Sequence, residues 1–346
     1  MSAGYRIARG ADLRARNSFG AAAHAPLLVE VDDPASLPSV FARHLPAGAA
    51  PLVLGGGSNL LFAGDPDVPV LALRDERVAV LDDDGGTATV RAGAGANWHR
   101  FVRATLDQGL CGLENLALIP GTVGAAPIQN IGAYGMEVGE RVHAVEAYEP
   151  ATGRFVRLSE RDCAFAYRDS LFKRDGARYV VTAVEFRLPR EAPVRTGYAG
   201  IAEELAAAGI DAPGPLQVFE AVCAVRRRKL PDPAVVGNAG SFFKNPIVPV
   251  AQADALAAAH PGMPVYPGAD PGSRKLPAAW LIEACGWKGA RDGDAGISPG
   301  HALVLVNHGA ASGAQLLALA RRVAASVQAR FGVPLEPEPR IVGARW

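Results

Sequence analysis

The chain has 346 residues, more than one hydrophobic core usually serves, so two or three domains are expected. It is 49% hydrophobic and 20% charged, a balance that excludes a disordered chain. Lysine plus arginine and aspartate plus glutamate stand at 35 each, so no global field steers the protein to nucleic acid, and an anionic ligand must be held by local charge.

The segment Met1-Ser2-Ala3-Gly4-Tyr5-Arg6 has no apolar signal core, and no uncharged apolar run reaches membrane-spanning length. The best candidate, Ala302 to Val306, stops at Asn307-His308. Cys111, Cys163, Cys223 and Cys285 lie far apart among apolar or helical residues, which predicts reduced core thiols and no metal site. A cytoplasmic enzyme or binding protein is the expectation.

The first third reads as short strands and tight turns. Pro51 to Leu54 is an apolar strand running into Gly55-Gly56-Gly57-Ser58-Asn59. Val78 to Leu81 and Thr87 to Arg91 flank Asp82-Asp83-Asp84-Gly85-Gly86, a hairpin signal. The apolar spacing of Trp98, Phe101, Val102 and Leu106 predicts a helix over 97–108. The middle third continues with strands at Val142 to Tyr148, Phe155 to Leu158 and Tyr179 to Leu188. Helices follow at Leu216 to Arg228, Val250 to Ala259, Pro277 to Cys285 and Ala314 to Arg330. The pattern predicts an α+β protein whose domains meet around a cleft.

Five clusters carry chemical potential. Gly55 to Leu60 follows a strand, and consecutive glycines let backbone N–H groups converge on a phosphate. It is not the dinucleotide fingerprint, because Leu60 occupies the third glycine position and no clear helix follows. A plain tight loop is the alternative.

Gly112 to Gly135, with Gly121 and Gly124, is rich in glycine and small residues and nearly without charge. That composition suits backbone wrapped around a large, partly apolar ligand such as a flavin, although a structural Ω-loop reads the same way locally. Tyr167-Arg168-Asp169-Ser170 offers a guanidinium fork for a carboxylate or phosphate, with Asp169 to orient it, against the plainer alternative of a surface ion pair. Gly237 to Pro246 presents Ser241 between glycines and a Phe pair, with Lys244 and Asn245 downstream; a turn in which Ser241 bonds its own backbone is the simpler alternative. Leu335-Glu336-Pro337-Glu338-Pro339-Arg340 is stiffened by its prolines, which fix where Glu338 and Arg340 point. Lys229 and Lys275 sit at the borders of apolar helices, where each can simply complement a helix dipole.

From Asn17-Ser18-Phe19 to Glu338-Pro339-Arg340 these segments, in this order, resemble the UDP-N-acetylenolpyruvoylglucosamine reductase family, in its subtype with a longer Tyr-bearing loop. The resemblance implies a vanillyl-alcohol-oxidase-type FAD-binding region of two subdomains, 1–73 with 332–346 and 74–230, plus a C-terminal α+β substrate-binding domain, 231–331. It implies non-covalent FAD, NADPH as co-substrate, and the enolpyruvyl ether of UDP-N-acetylglucosamine as substrate, in a monomer that engages neither nucleic acid nor membrane.

The positions matching the family's catalytic residues are Ser241 as proton donor, with Arg168 and Glu338 polarising the substrate carboxylate. FAD contacts fall on Gly55, Gly57, Ser58, Asn59, Gly121 and Gly124. Tyr198, Lys229 and Asn245 match the diphosphate grip, and Arg340 supports the active site; the immediate neighbours of Tyr198 depart from the family pattern. Two rivals remain: an oxidase of the same flavin fold, and a non-catalytic UDP-sugar or flavin sensor. Neither has need of Ser241, Arg168 and Glu338 together.

Overall fold

The computed structural model describes residues 4–346 apart from Ala47, Ala49, Ala199 and Ala269. The chain divides into two compact units, Met1–Ala11 with Ala25–Gly56 and Asp67–Arg228, and Asp12–His24 with Gly57–Pro66 and Lys229–Trp346.

In the first unit, His24–Val31, Val70–Leu73 and Leu52–Val53 form parallel neighbours, with Tyr5–Asp12 at the edge. All four residues of Val70–Leu73 are buried, as befits a parallel strand covered on both faces. The helix Leu37–His44 turns Leu37 and Val40 into a core with Val29, Val31 and Leu71.

A five-stranded antiparallel sheet follows, in the order Arg154–Ser159, Val142–Glu149, Val180–Pro189, Thr87–Gly93, Val78–Asp83. The hairpin at 78–93 forms as the acidic-glycine turn predicts, with a bulge between Val80 and Asp82. Val180–Pro189 is buried from Val180 through Phe186. Both faces are covered: Phe186 packs on Phe101 at 4.9 Å between ring centres, while Val180 joins Tyr148 in the parallel-sheet core. The predicted helix appears as Trp98–Asp107, and the Asn97 side chain caps it by accepting from the Arg100 N–H at 3.0 Å.

The second unit holds an antiparallel sheet ordered Gly237–Ser241, Val304–Asn307, Ala295–Ile297, Arg291–Asp292. Helices Val250–Ala259, Ala278–Ala284 and Gly313–Phe331 lie at or within one residue of their predicted limits. Gly313–Phe331 starts on a reciprocal Ser312/Gln315 cap and ends at Gly332 in the left-handed region, φ 65°. It buries Leu316, Leu319, Ala320, Val323 and Val327 against Leu281, Leu305 and Phe242. A strand, Leu60–Phe62, follows the triple-glycine loop and pairs in parallel with Arg340–Val342.

All four cysteines are free thiols. Burial pushes Cys163 up to about 12 and raises Cys111 and Cys223, so these behave as core residues. Among the described residues no helix is long and apolar enough to cross a membrane, and no group of three His, Cys, Asp or Glu can hold a metal ion.

Candidate active site

In the first unit the two glycine-rich segments meet backbone to backbone. A Cβ on Gly55 would lie 2.7 Å from Thr122 Oγ1, and one on Gly56 would lie 2.8 Å from Gly121 Cα. Gly124 is as tight, since its Cβ would come within 2.5 Å of Ala94 Cβ. The N–H groups of Val123 and Gly124 are spent on the carbonyls of Ala96 and Ala94, at 2.8 and 3.0 Å. Gly124 therefore acts by letting two backbones touch, not as a donor. These glycines serve loop-on-loop packing, the structural alternative that the sequence left open beside a ligand.

The third cluster converges on the same loop. Ala166 and Asp169 exchange backbone hydrogen bonds of 3.0 Å, which closes a two-residue turn with Arg168 at φ 53°. A left-handed arginine is strained, and such strain is held only where the surroundings over-determine it. Here Arg168 donates Nη2 to the Gly132 carbonyl at 2.8 Å and lies 5.3 Å from the Tyr167 ring centre. Asp169 does not orient Arg168, contrary to expectation; it pairs with Arg174 in the next helical turn. Ser170 hydroxyl donates to the Ile128 carbonyl at 2.6 Å and accepts from the Lys173 N–H, so it pins the turn to the loop and caps Leu171–Arg174.

Three buried polar residues escaped the sequence reading. Asn130, itself at φ 47°, accepts from the Gly139 N–H and donates to Glu137 and to the Ala166 carbonyl. Asn115 donates to the carbonyls of Tyr134 and Arg195, and Glu114 accepts from the Gly112 N–H at 2.6 Å. Their signal was weak: polar residues within an almost uncharged run. Tyr198 is exposed and meets Tyr134 edge-on at 5.2 Å.

In the second unit the decapeptide forms strand Gly237–Ser241, opposite Val304–Asn307. The register shifts between Asn238 and Ser241, where Gly240 takes φ 69°, so a bulge re-aims the serine. Buried Asn238 sets the bulge: it accepts from the Gly240 N–H and donates to the carbonyls of Pro231 and Val236. A Cβ on Gly237 would lie 2.3 Å from the Phe19 carbonyl oxygen, and one on Gly57 would lie 2.0 Å from that of Arg16. The segment Asn17-Ser18-Phe19 thus joins the glycine loop to the decapeptide, with Ser18 N–H on the Gly57 carbonyl and Asn238 N–H on the Ser18 carbonyl.

Glu338 donates its N–H to the Phe242 carbonyl at 2.8 Å, one residue after Ser241, and its carbonyl accepts from Asn59 Nδ2. Arg340 donates its N–H to the Asn59 carbonyl. Ser58, Asn59, Ser241, Glu338 and Arg340 are therefore gathered on neighbouring backbone. Asn245 Oδ1 accepts from the Ala278 N–H, so the amide NH2 is the donor end of this side chain. Lys229 is exposed at the head of this unit. Burial, then Lys229 and Lys288, hold His301 below the usual histidine range, and its Nδ1 accepts from Leu303 N–H as a neutral ring does.

The residues present fit FAD: close-packed, nearly uncharged backbone, and two guanidinium nitrogens shut off from solvent, Arg141 Nε and Arg226 Nε, that nothing among the described residues satisfies.

The family described as FAD binding domain matches residues 25–159, and that described as UDP-N-acetylenolpyruvoylglucosamine reductase, C-terminal domain, matches 232–342. UDP-N-acetylenolpyruvoylglucosamine reductase of Xanthomonas euvesicatoria pv. vesicatoria is 57% identical over 343 residues, 99% of this chain and 98% of that protein. The Xylella fastidiosa (strain M12) reductase is 57% identical over 336 residues, 97% of this chain and 96% of that protein. The solved structure of the Thermus caldophilus reductase shares 27% identity with a TM-score of 0.68, covering 98% of this chain and 99% of that one. The fold is α+β, a vanillyl-alcohol-oxidase-type FAD-binding region followed by the reductase C-terminal domain. The chain belongs to the UDP-N-acetylenolpyruvoylglucosamine reductase family of FAD-dependent oxidoreductases.

Proposed function

We propose that the protein reduces the enolpyruvyl ether of UDP-N-acetylglucosamine to UDP-N-acetylmuramate with NADPH, in the cytoplasm, as a step of peptidoglycan precursor synthesis. The observation that carries this is the placement of Ser241 by the Asn238–Gly240 bulge, one residue from the carbonyl that holds Glu338. FAD, when bound, supplies the carrier that takes hydride from NADPH and passes it to the vinyl carbon of the substrate.

Hydride arriving there leaves negative charge shared between the α-carbon and the carboxylate. Arg168 and Glu338 hold that carboxylate as it becomes enol-like, and stabilising charge where it develops is the larger part of catalysis. Ser241 then gives its proton to the α-carbon. A hydroxyl is a weak acid, so the step depends on a strongly basic partner and fixed placement, which the bulge supplies. Lys229, Tyr198 and the Asn245 amide grip the diphosphate, one cation and two neutral donors on anionic oxygens. Gly55, Gly57, Ser58, Asn59, Gly121 and Gly124 shape the FAD site, with Arg340 behind Asn59. The catalytic unit is a monomer with subdomains 1–73 with 332–346 and 74–230 for FAD, and 231–331 for substrate.

The deciding experiment is anaerobic. NADPH is added to the yellow protein until its visible absorption bleaches, and the enolpyruvyl ether then restores the colour in stoichiometric amount. Recolouring only on admission of oxygen would establish an oxidase instead.

A further inference from the structure

After strand Arg340–Val342 the chain turns back toward the decapeptide. Gly343 takes φ 77° and lies so close to Gly64 that a Cβ on it would meet the Gly64 carbonyl carbon at 2.6 Å. Arg321, on the helix Gly313–Phe331, donates Nη2 to the Arg345 carbonyl at 2.5 Å. With the tail held at these two points, the Trp346 indole lies against Phe242 and Phe243, ring centres 6.5 and 5.8 Å away. Phe242 and Phe243 meet edge-on at 5.1 Å, and Phe242 meets Phe19 edge-on at 6.4 Å. Phe19, Phe242, Phe243 and Trp346 thus form one edge-to-face series, the arrangement that aromatic quadrupoles favour. Phe242 and Phe243 are 1% and 2% exposed while Trp346 is 43% exposed, so the indole covers the pair from the solvent side.

The same pair ties Ser241 to Glu338. The Phe242 N–H donates to the Leu303 carbonyl and its carbonyl accepts from the Glu338 N–H, each at 2.8 Å. Phe243 bridges to Pro337, and the Lys244 N–H donates to the Glu336 carbonyl at 3.0 Å. On its other side Ser241 follows Gly240, whose missing Cβ leaves the backbone free to turn. Ser241 therefore depends on Phe242 to hold its main chain.

We propose that Trp346 is a positioning residue for proton transfer: by covering Phe242 and Phe243 it fixes the backbone that sets Ser241 beside Glu338. This rests on the function proposed above, in which Ser241 gives its proton to the α-carbon and Glu338 holds the carboxylate. The indole acts through the Phe pair and not on the substrate. Its loss slows the step that needs Ser241 in place and leaves reduction by NADPH alone.

The test is stopped-flow absorbance on purified holoenzyme, with bleaching by NADPH and recolouring by the enolpyruvyl ether read separately. Trp346→Ala is expected to slow recolouring about tenfold, the upper range for loss of one aromatic pair, with bleaching and the KM for the UDP-sugar unchanged. Trp346→Phe, which keeps a ring on the pair, is expected to recover most of the rate. Recolouring at the wild-type rate in Trp346→Ala overturns the assignment even where its urea midpoint falls, because a merely structural role moves stability alone. Equal slowing of both phases overturns it as well. If Trp346→Ala does not fold, Arg321→Met, which frees Arg345 and retains every ring, is read the same way. A wild-type enzyme that the enolpyruvyl ether fails to recolour sinks the proposed function itself, whereas a wild type that recolours beside unaltered variants sinks only the role of Trp346.

Discussion

Gly57 and Gly237 abut the same short stretch of chain, one against the Arg16 carbonyl and the other against that of Phe19. Neither contact leaves room for a methyl group. Gly237→Ala must push strand Gly237–Ser241 off Phe19, and Ser241 moves with it. We expect a loss of turnover of about a hundredfold, the usual cost of misplacing a reacting group by an ångström, together with lower stability in urea unfolding. Wild-type turnover in Gly237→Ala would show that the close approach is dispensable.

Removing the proton donor should separate the two halves of the cycle. Ser241→Ala leaves bleaching by NADPH nearly intact but slows recolouring by the enolpyruvyl ether about a hundred- to ten-thousandfold, the range of general acid catalysis. Stopped-flow absorbance reads both phases. Equal loss in both halves would count against the assignment.

Lys229→Ala should raise KM for the UDP-sugar about ten- to a hundredfold, the worth of a hydrogen bond to a charged group, with NADPH-driven bleaching unchanged. An unaltered KM contradicts a role at the diphosphate.

Two histidines set an acid limit on stability. His99 and His301 are both held below the ordinary value of 6.5, burial being the first cause in each. The unfolded chain then binds more protons than the folded one as pH falls below 6.5, so stability declines through that window until the folded rings protonate. Unfolding of FAD-free protein between pH 7.5 and about 5 should follow this slope, and His99→Gln should flatten it. A pH-independent midpoint over that range would refute it.

Much of the architecture was legible in the sequence because it is written locally. The apolar stripe of Trp98, Phe101, Val102 and Leu106 marks a helix, and Asp82 to Gly86 is a turn between strands; both formed as read, with Asn97 capping the helix rather than lying in it. The strand read over Tyr179 to Leu188 also formed, as Val180–Pro189, but alternation records side-chain type and cannot show that a second core covers its other face. Asp169 was misassigned because its partner, Arg174, becomes a neighbour only once Leu171–Arg174 turns. Asn130 escaped notice for a related reason. Its three partners, Glu137, Gly139 and Ala166, are specified by tertiary placement and by nothing adjacent in the chain.

The threading of the chain has a consequence for its biogenesis. Asp12–His24 and Gly57–Pro66 belong with residues from Lys229 onward, and Leu60–Phe62 pairs with Arg340–Val342. A ribosome releases those early pieces long before their mates exist, so the unit cannot mature in order of synthesis and must close over a very long loop. A C-terminal fragment starting at Lys229 would lack Phe19, Ala21 and Leu61 from its core, and is expected to aggregate where the whole chain folds.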